Sequence, residues 1–356
     1  MRHQLFPTLV VGSLPRPRWV REVIEERKAG RLHPVEADHL LDSAIPFAIR
    51  LQERAGVDYV SDGEWRRESY VKVFAERIGG FQPDLIHVGG SPLKYPAVVS
   101  PLPGWHPIAW DEVRFLRAHT TRKTIVAIPS PYTVGCRMWH PRFSRQAYPT
   151  REEFIQACAP IIRQELEALA RLGVDAVQLD DPWLALLVDS DYRQQAGITD
   201  VEAETEQCVQ AVNEAVEGIS GVFLSIHLCH AHFNRQRLTR GPYDLIMDAL
   251  GRMRVHRFAM EFATPVAGGV GILKRFPSDK MLGLGVIDHC DRQVETPEQV
   301  VERVERALAH VPKERLTLNP DCGFAPSSVN PMDLDEAYQK LAALAQGATL
   351  LRERYG

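Results

Sequence analysis

Short apolar runs rich in β-branched residues alternate with longer amphipathic stretches along nearly the whole chain, and that alternation narrows the folds open to it. The runs are Leu9-Val10-Val11, Tyr59-Val60, Thr124 to Ile128, Ala176 to Leu179, Val222 to Ile226, Arg257 to Met260, Met281 to Leu284 and Leu316 to Leu318. Between them apolar residues recur at helical spacing. Arg151 to Arg171 sets Phe154, Ala157, Cys158, Ile161, Ile162, Leu166 and Leu169 on one side, behind a Thr150–Glu153 capping box. Thr296-Pro297 opens a helix to Ala309, with proline suited to the first turn, and Met332 to Leu351 is a long closing helix. Strands alternating with helices build parallel βα units. Eight such units in 356 residues predict an α/β chain folded as a closed (β/α)8 TIM barrel. The Gly- and Pro-rich stretch from Arg77 to Trp110 predicts a loop or hairpin excursion after the second strand. No linker or tandem repeat interrupts the pattern, so residues 1–356 are read as one domain.

Charge and apolar content narrow the partners. Lys and Arg number 42 against 46 Asp and Glu, and no basic stripe stands out, which argues against nucleic acid. The longest apolar stretches fall short of a membrane span, and the first residues are too short and polar for a secretion signal. A cytoplasmic protein is the expectation. Its six cysteines are then reduced thiols available for packing, metal binding or catalysis.

A barrel of this kind carries its chemistry at the carboxyl ends of its strands. Gly12-Ser13 follows the first run, Ser61-Asp62-Gly63-Glu64 the second, Asp180-Asp181-Pro182 the fourth and His227-Leu228-Cys229 the fifth. Glu261 follows the sixth, Asp288-His289-Cys290 the seventh and Asn319-Pro320-Asp321-Cys322-Gly323 the eighth. His227 and Cys229 are two apart, so extended backbone points both into one mouth. Imidazole and thiolate together suit Zn²⁺, and Glu261 with Cys322 would complete a tetrahedral set. The plainer reading is a core histidine beside packing cysteines.

In this order the motifs resemble the C-terminal catalytic barrel of cobalamin-independent methionine synthase. Val11-Gly12-Ser13-Leu14-Pro15 is similar to the family's opening Gly-Ser motif, and Asp62-Gly63-Glu64-Trp65-Arg66-Arg67 to its Gly-Glu motif. Val177-Gln178-Leu179-Asp180-Asp181-Pro182 is similar to its second carboxylate strand, with Asp-Asp-Pro where the long enzymes favour Asp-Glu-Pro. The resemblance implies zinc at His227, Cys229, Glu261 and Cys322. It implies a small thiol substrate, homocysteine, methylated on sulfur. The ammonium would meet Glu64 and Asp180, and the carboxylate would lie near Gly12, Ser13 and adjacent amides, with Trp183 lining the pocket. Two local alternatives stand beside these roles. Glu64 would pair with Arg66 or Arg67, and Asp180 would cap the turn before Pro182.

The family also places a catalytic histidine two residues after an aspartate near the seventh strand. Here Asp288-His289-Cys290-Asp291 sets it one place early, and alternation would point it away. Asp288 and His289 are therefore both candidates for proton transfer, and His230 or His232 would support the ligands. The family's long form has an additional N-terminal barrel that helps hold a polyglutamylated folate, and these residues do not match it. Methyltetrahydrofolate and a methylated corrinoid protein both stand as donors. Related barrels supply the other readings. A coenzyme M alkyltransferase would need a cation such as Arg16, Arg18, Arg66 or Arg67 for the sulfonate. A uroporphyrinogen decarboxylase would need no metal. A thiol- or corrinoid-binding barrel would have lost turnover.

Overall fold

The computed structural model describes residues 4–87, 93–326 and 332–356. Seven parallel strands pair in the order Tyr59–Val60, Lys123–Pro129, Ala176–Asp180, Phe223–Leu228, Arg257–Met260, Met281–Ile287 and Leu316–Pro320. Thr8 and Leu9 bridge the two edges, Thr8 pairing with Leu318 and Leu9 with Tyr59. Leu9 N–H donates to the Leu318 carbonyl at 2.9 Å, and Tyr59 N–H to the Thr8 carbonyl at 3.1 Å. The sheet is thereby closed by an eighth, very short strand, the TIM barrel that the βα alternation predicts. Pairing of this first strand ends at Leu9, and Gly12 beyond it takes a positive φ of 90°.

Several strands run further toward the mouth than their apolar runs suggest. Asp180, His227, Leu228, Ile287 and Pro320 all lie within strands. Ladder pairing carries the polar residues, with Pro129 opposite Asp180 and Asp180 opposite His227. Register therefore brings a carboxylate of the fourth strand beside an imidazole of the fifth.

The helices follow their sequence signals. Thr150 Oγ1 accepts from Glu153 N–H ahead of the helix Arg151–Leu172. Thr296 and Gln299 form a reciprocal capping box ahead of Pro297–Leu308. The closing helix begins at Leu334, two residues later than its apolar pattern suggests, because Asp333 caps it. The excursion after the second strand contains an antiparallel hairpin, Phe81–His87 with Lys94–Val98.

Beneath the mouth the barrel interior is polar. Arg257 is fully buried and donates to Thr317 Oγ1 at 2.8 Å, Ser225 Oγ at 3.3 Å and Asn319 Oδ1 at 2.5 Å. Burial pushes its pKa down to about 9. Gly283 makes room for it, since a Cβ there would lie 2.4 Å from the guanidinium.

Candidate metal centre

His227 sits in the fifth strand, Cys229 just past its end, and Cys322 in the turn after the eighth. The closed barrel brings the three together, buried, with one ligand atom of each within 4.8 Å of the others. Cys229 Sγ and Cys322 Sγ are 3.6 Å apart and unbridged. Two thiolates on one tetrahedral zinc, with bonds near 2.3 Å, would lie about 3.8 Å apart. The thiol pair is thus set at the spacing of a shared metal. A hydrogen bond from Cys322 and the neighbouring His227 outweigh burial and bring the Cys229 pKa down to about 6. Burial opposes charge on His227, but Cys229 and Asp180 raise its pKa well above the ordinary value.

Glu261 directly follows the sixth strand, outside the compact triplet. Its Oε2 lies 2.8 Å from His230 Nδ1 and 3.5 Å from Arg237 Nε. Its Oε1 is buried without a partner. Glu261 is close enough to act on the charge of both thiols, and a carboxylate oxygen, two thiols and an imidazole are donors that suit zinc. Arg237 also meets Asp288 at 2.9 Å and Asp321 at 3.0 Å. One guanidinium thus balances three carboxylates around the centre. Burial and the nearby Glu261 still push the Asp321 pKa up to about 8.

A small cavity opens beside the triplet, walled by Ser13, Glu64, Tyr70, Asp180, His227, Cys229, His232 and Cys322, among others. Glu64 is held in the left-handed region, φ 57°, a conformation that costs a non-glycine residue about 1–3 kcal/mol. Its N–H donates to Asp62 Oδ1 at 2.8 Å, and Arg16 donates to its carbonyl at 2.8 Å. Gly12 is required opposite, because a Cβ there would lie 2.3 Å from Glu64 Oε1. The Glu64 Oε2 is buried without a partner, and burial pushes the carboxyl pKa up to about 8. Arg67 stands 3.9 Å from Glu64 but is engaged by Glu112 at 2.6 Å, and Arg66 pairs with Asp42. Ser13 Oγ accepts from Ala325 N–H at 3.3 Å.

The two aspartates of Asp180-Asp181 divide their work. Asp181 accepts from Ser130 and Thr133 hydroxyls and from Leu184 N–H, so it is the cap of the turn. Asp180 faces the cavity, 3.4 Å from His227 Nδ1. Asp288 and His289 lie together and do not themselves line the cavity, but His289 sits directly behind its wall, with one ligand atom each of His289, His232 and Cys322 within 4.8 Å of one another. Asp288 Oδ1 is taken by Arg237 and Cys290 N–H, while His289 lies 3.2 Å from Cys290 Sγ. The histidine on the wall is His232, whose ring centroid is 4.1 Å from that of His289. Trp183 does not line this cavity and instead stacks on Arg137. Sequence reading passed over Tyr70 and Arg237. Tyr70 lies in a turn and Arg237 in the two-residue strand Gln236–Arg237, and both meet the site only through the fold.

A larger cavity of about 500 Å³ lies between the helix Arg18–Lys28 and the hairpin, away from these groups. Its Lys28 and Lys72 both pair with Glu68, and it offers no metal-binding cluster among the described residues.

Residues 6–346 match the family described as "Cobalamin-independent synthase, Catalytic domain". The chain is 30% identical to the methionine synthase of Saccharolobus solfataricus, covering 98% of this chain and 96% of that one. It is 31% identical to the methionine synthase of Pyrococcus horikoshii, covering 99% and 95%. In fold it resembles a B12-independent methionine synthase from Shewanella sp. W3-18-1, solved with selenomethionine, at TM-score 0.80 and 23% identity over 98% of each chain.

Proposed function

From the premise that the chain belongs to the cobalamin-independent synthase catalytic-domain family, we propose that it is a zinc-dependent methyltransferase that methylates the sulfur of homocysteine. The observation that carries this reading is the buried His227–Cys229–Cys322 triplet, with Glu261 Oε1 buried and unpartnered at the end of the neighbouring strand. Methionine synthase relatives matching along nearly their whole length support the reaction class. No helix among the described residues is long and apolar enough to cross a membrane.

His227, Cys229, Glu261 and Cys322 would hold the metal. Zinc bound there would keep a substrate thiol ionised near neutral pH, where a free thiol is mostly protonated. Glu64 and Asp180 accept the ammonium, which supplies the positive charge that the unpartnered Glu64 oxygen lacks. Gly12 and Ser13 seat the carboxylate end. Fixing both ends of the amino acid aims its sulfur at the methyl carbon, a gain through proximity. The sulfur–carbon bond forms as the donor–carbon bond breaks, and the donor keeps that electron pair. A proton returned to the donor would come from Asp288 or His289, with His232 standing between His289 and the cavity.

The arginines favour an amino-acid thiol over a sulfonate. Arg16 is held by two backbone carbonyls, Arg66 by Asp42, Arg67 by Glu112, and Arg18 by Glu22. Each of these four arginines is therefore already engaged. The triplet likewise favours metal chemistry over the metal-free tetrapyrrole barrels.

Zinc-edge X-ray absorption on the purified protein tests the reading. Two sulfur and two nitrogen or oxygen neighbours are expected at rest, and a third sulfur on adding homocysteine. An unchanged shell would mean a different thiol. Absence of zinc in protein purified with zinc present would overturn the proposal.

A further inference from the structure

The Arg137 guanidinium forms no ion pair with a carboxylate among the described residues, and segments 88–92 and 327–331 contain no Asp or Glu to supply one. It is clamped between two rings, with Cζ 3.4 Å from the Tyr95 ring centroid and 4.7 Å from that of Trp183. Its Nε is buried without a hydrogen-bond partner. Three loops at the mouth converge to make the clamp. Tyr95 comes from the hairpin, Arg137 from the helix Pro131–Met138 after the third strand, and Trp183 from the helix Pro182–Leu186 after the fourth.

Rings that cover the faces of a guanidinium leave its in-plane N–H groups for a ligand. That planar fork matches a carboxylate or phosphate. The place is adjacent to the thiol cavity. Pro182, next to Trp183, lines the cavity, as does Tyr70, and Arg137 is close enough to Tyr70 to oppose the burial that raises its pKa. Arg137 itself is not on the cavity wall. The thiol substrate already has Glu64, Asp180 and Ser13 around it, so the anion belongs to the second reactant.

We propose that Arg137, held between Tyr95 and Trp183, binds an anionic group, carboxylate or phosphate, carried by the methyl donor. The inference rests on the thiol-methylation reading and names a recognition feature of its second substrate.

The test is isothermal titration of the full-length, zinc-loaded protein saturated with homocysteine. The probes are methyltetrahydrofolate, glutarate, inorganic phosphate and a methylated tetrahydropterin without the glutamate tail. Wild type is compared with Arg137→Gln and Arg137→Lys, and thermal melting checks that both variants fold. The expected result is at least one anionic probe bound by wild type, weakened about tenfold or more in Arg137→Gln and partly restored in Arg137→Lys. The tail-free pterin and homocysteine itself should bind all three proteins alike. Equal binding of the anionic probes to wild type and Arg137→Gln overturns the proposal, as does failure of wild type to bind any of them. Loss of homocysteine affinity in Arg137→Gln also overturns it, by moving the anion to the thiol. Zinc-edge spectra of the same samples report the thiol reading separately, so the failure of one is distinguishable from the failure of the other.

Discussion

His230 is bonded to Glu261 through Nδ1 at 2.8 Å, while its Nε2 lies 2.9 Å from the Gly241 carbonyl. The ring thus sits between a carboxylate and a carbonyl, an arrangement that favours the imidazolium. Burial works against that charge, but the Glu261 carboxylate outweighs it and raises the His230 pKa. The contact orients the carboxylate so that Oε1 is the oxygen left for a metal. His230→Gln is expected to lower zinc affinity about 10- to 100-fold without changing the ligand set, the usual effect of losing a support behind a ligand. Competition against a chelating dye measures it, and unchanged affinity would show that Glu261 is held without His230. The sign with pH follows from the raised pKa. The stabilisation from His230 is fully present below the unfolded value near 6.5 and is lost as pH rises through the higher folded value.

Glu64 sets a proton count on substrate binding. Its folded pKa of about 8 stands above the ordinary 4.5, so the folded protein favours the neutral acid between those values. Stability from that preference is present below 4.5 and lost as pH rises through about 8. An ammonium bound beside Glu64 favours the carboxylate and expels the proton. Calorimetry at pH 7, in buffers of different ionisation enthalpy, should therefore find roughly one more proton released by wild type than by Glu64→Gln. The difference should fade above pH 8. Equal release by the two proteins at pH 7 would mean that Glu64 is already ionised before the thiol arrives.

The legible part of this molecule is the part that local rules govern. The run at Thr124 to Ile128 falls on an observed strand because β-branched and apolar residues repeat there without interruption. His227 and Cys229 share a side because they straddle a strand end two residues apart. Arg237 carried no such signal. It meets Asp288 and Asp321 across 51 and 84 residues, from the short strand Gln236–Arg237 after a turn with Asn234 and Arg235 at positive φ. Arg137 is similar, since its rings arrive from two other loops. Contacts between loops have no period to read, and the exchange of His289 for His232 at the cavity wall depends on such contacts.

Asp180 and Asp181 should separate binding from stability. Asp181→Ala leaves the Ser130, Thr133 and Leu184 donors of a buried cap without their acceptor. A loss of about 1–3 kcal/mol is expected in urea unfolding, with homocysteine affinity little changed once folded. Asp180→Asn faces the cavity and should do the reverse, melting near wild type but binding homocysteine about tenfold or more weakly, the scale of a lost charged contact. If Asp180→Asn lowers stability and spares binding, the ammonium lies elsewhere.

Arg67 and Glu112 form a salt bridge in which both side chains are almost wholly buried, with contacts of 2.6 to 3.1 Å. Arg67 also donates to the Ala127 carbonyl at 2.8 Å and stands 3.9 Å from Glu64. Arg67→Met would leave a buried carboxylate without its cation, a change that costs about 3–5 kcal/mol. The double variant Arg67→Met with Glu112→Leu removes both charges, so most of that stability should return. Homocysteine binding should not return with it. Glu64 would still lack its nearest cation, and the Arg67 contribution that holds its pKa down would be gone. The proton release on binding should therefore persist to higher pH in the double variant than in wild type. Restored stability with an unaltered pH profile would assign Arg67 to the fold alone.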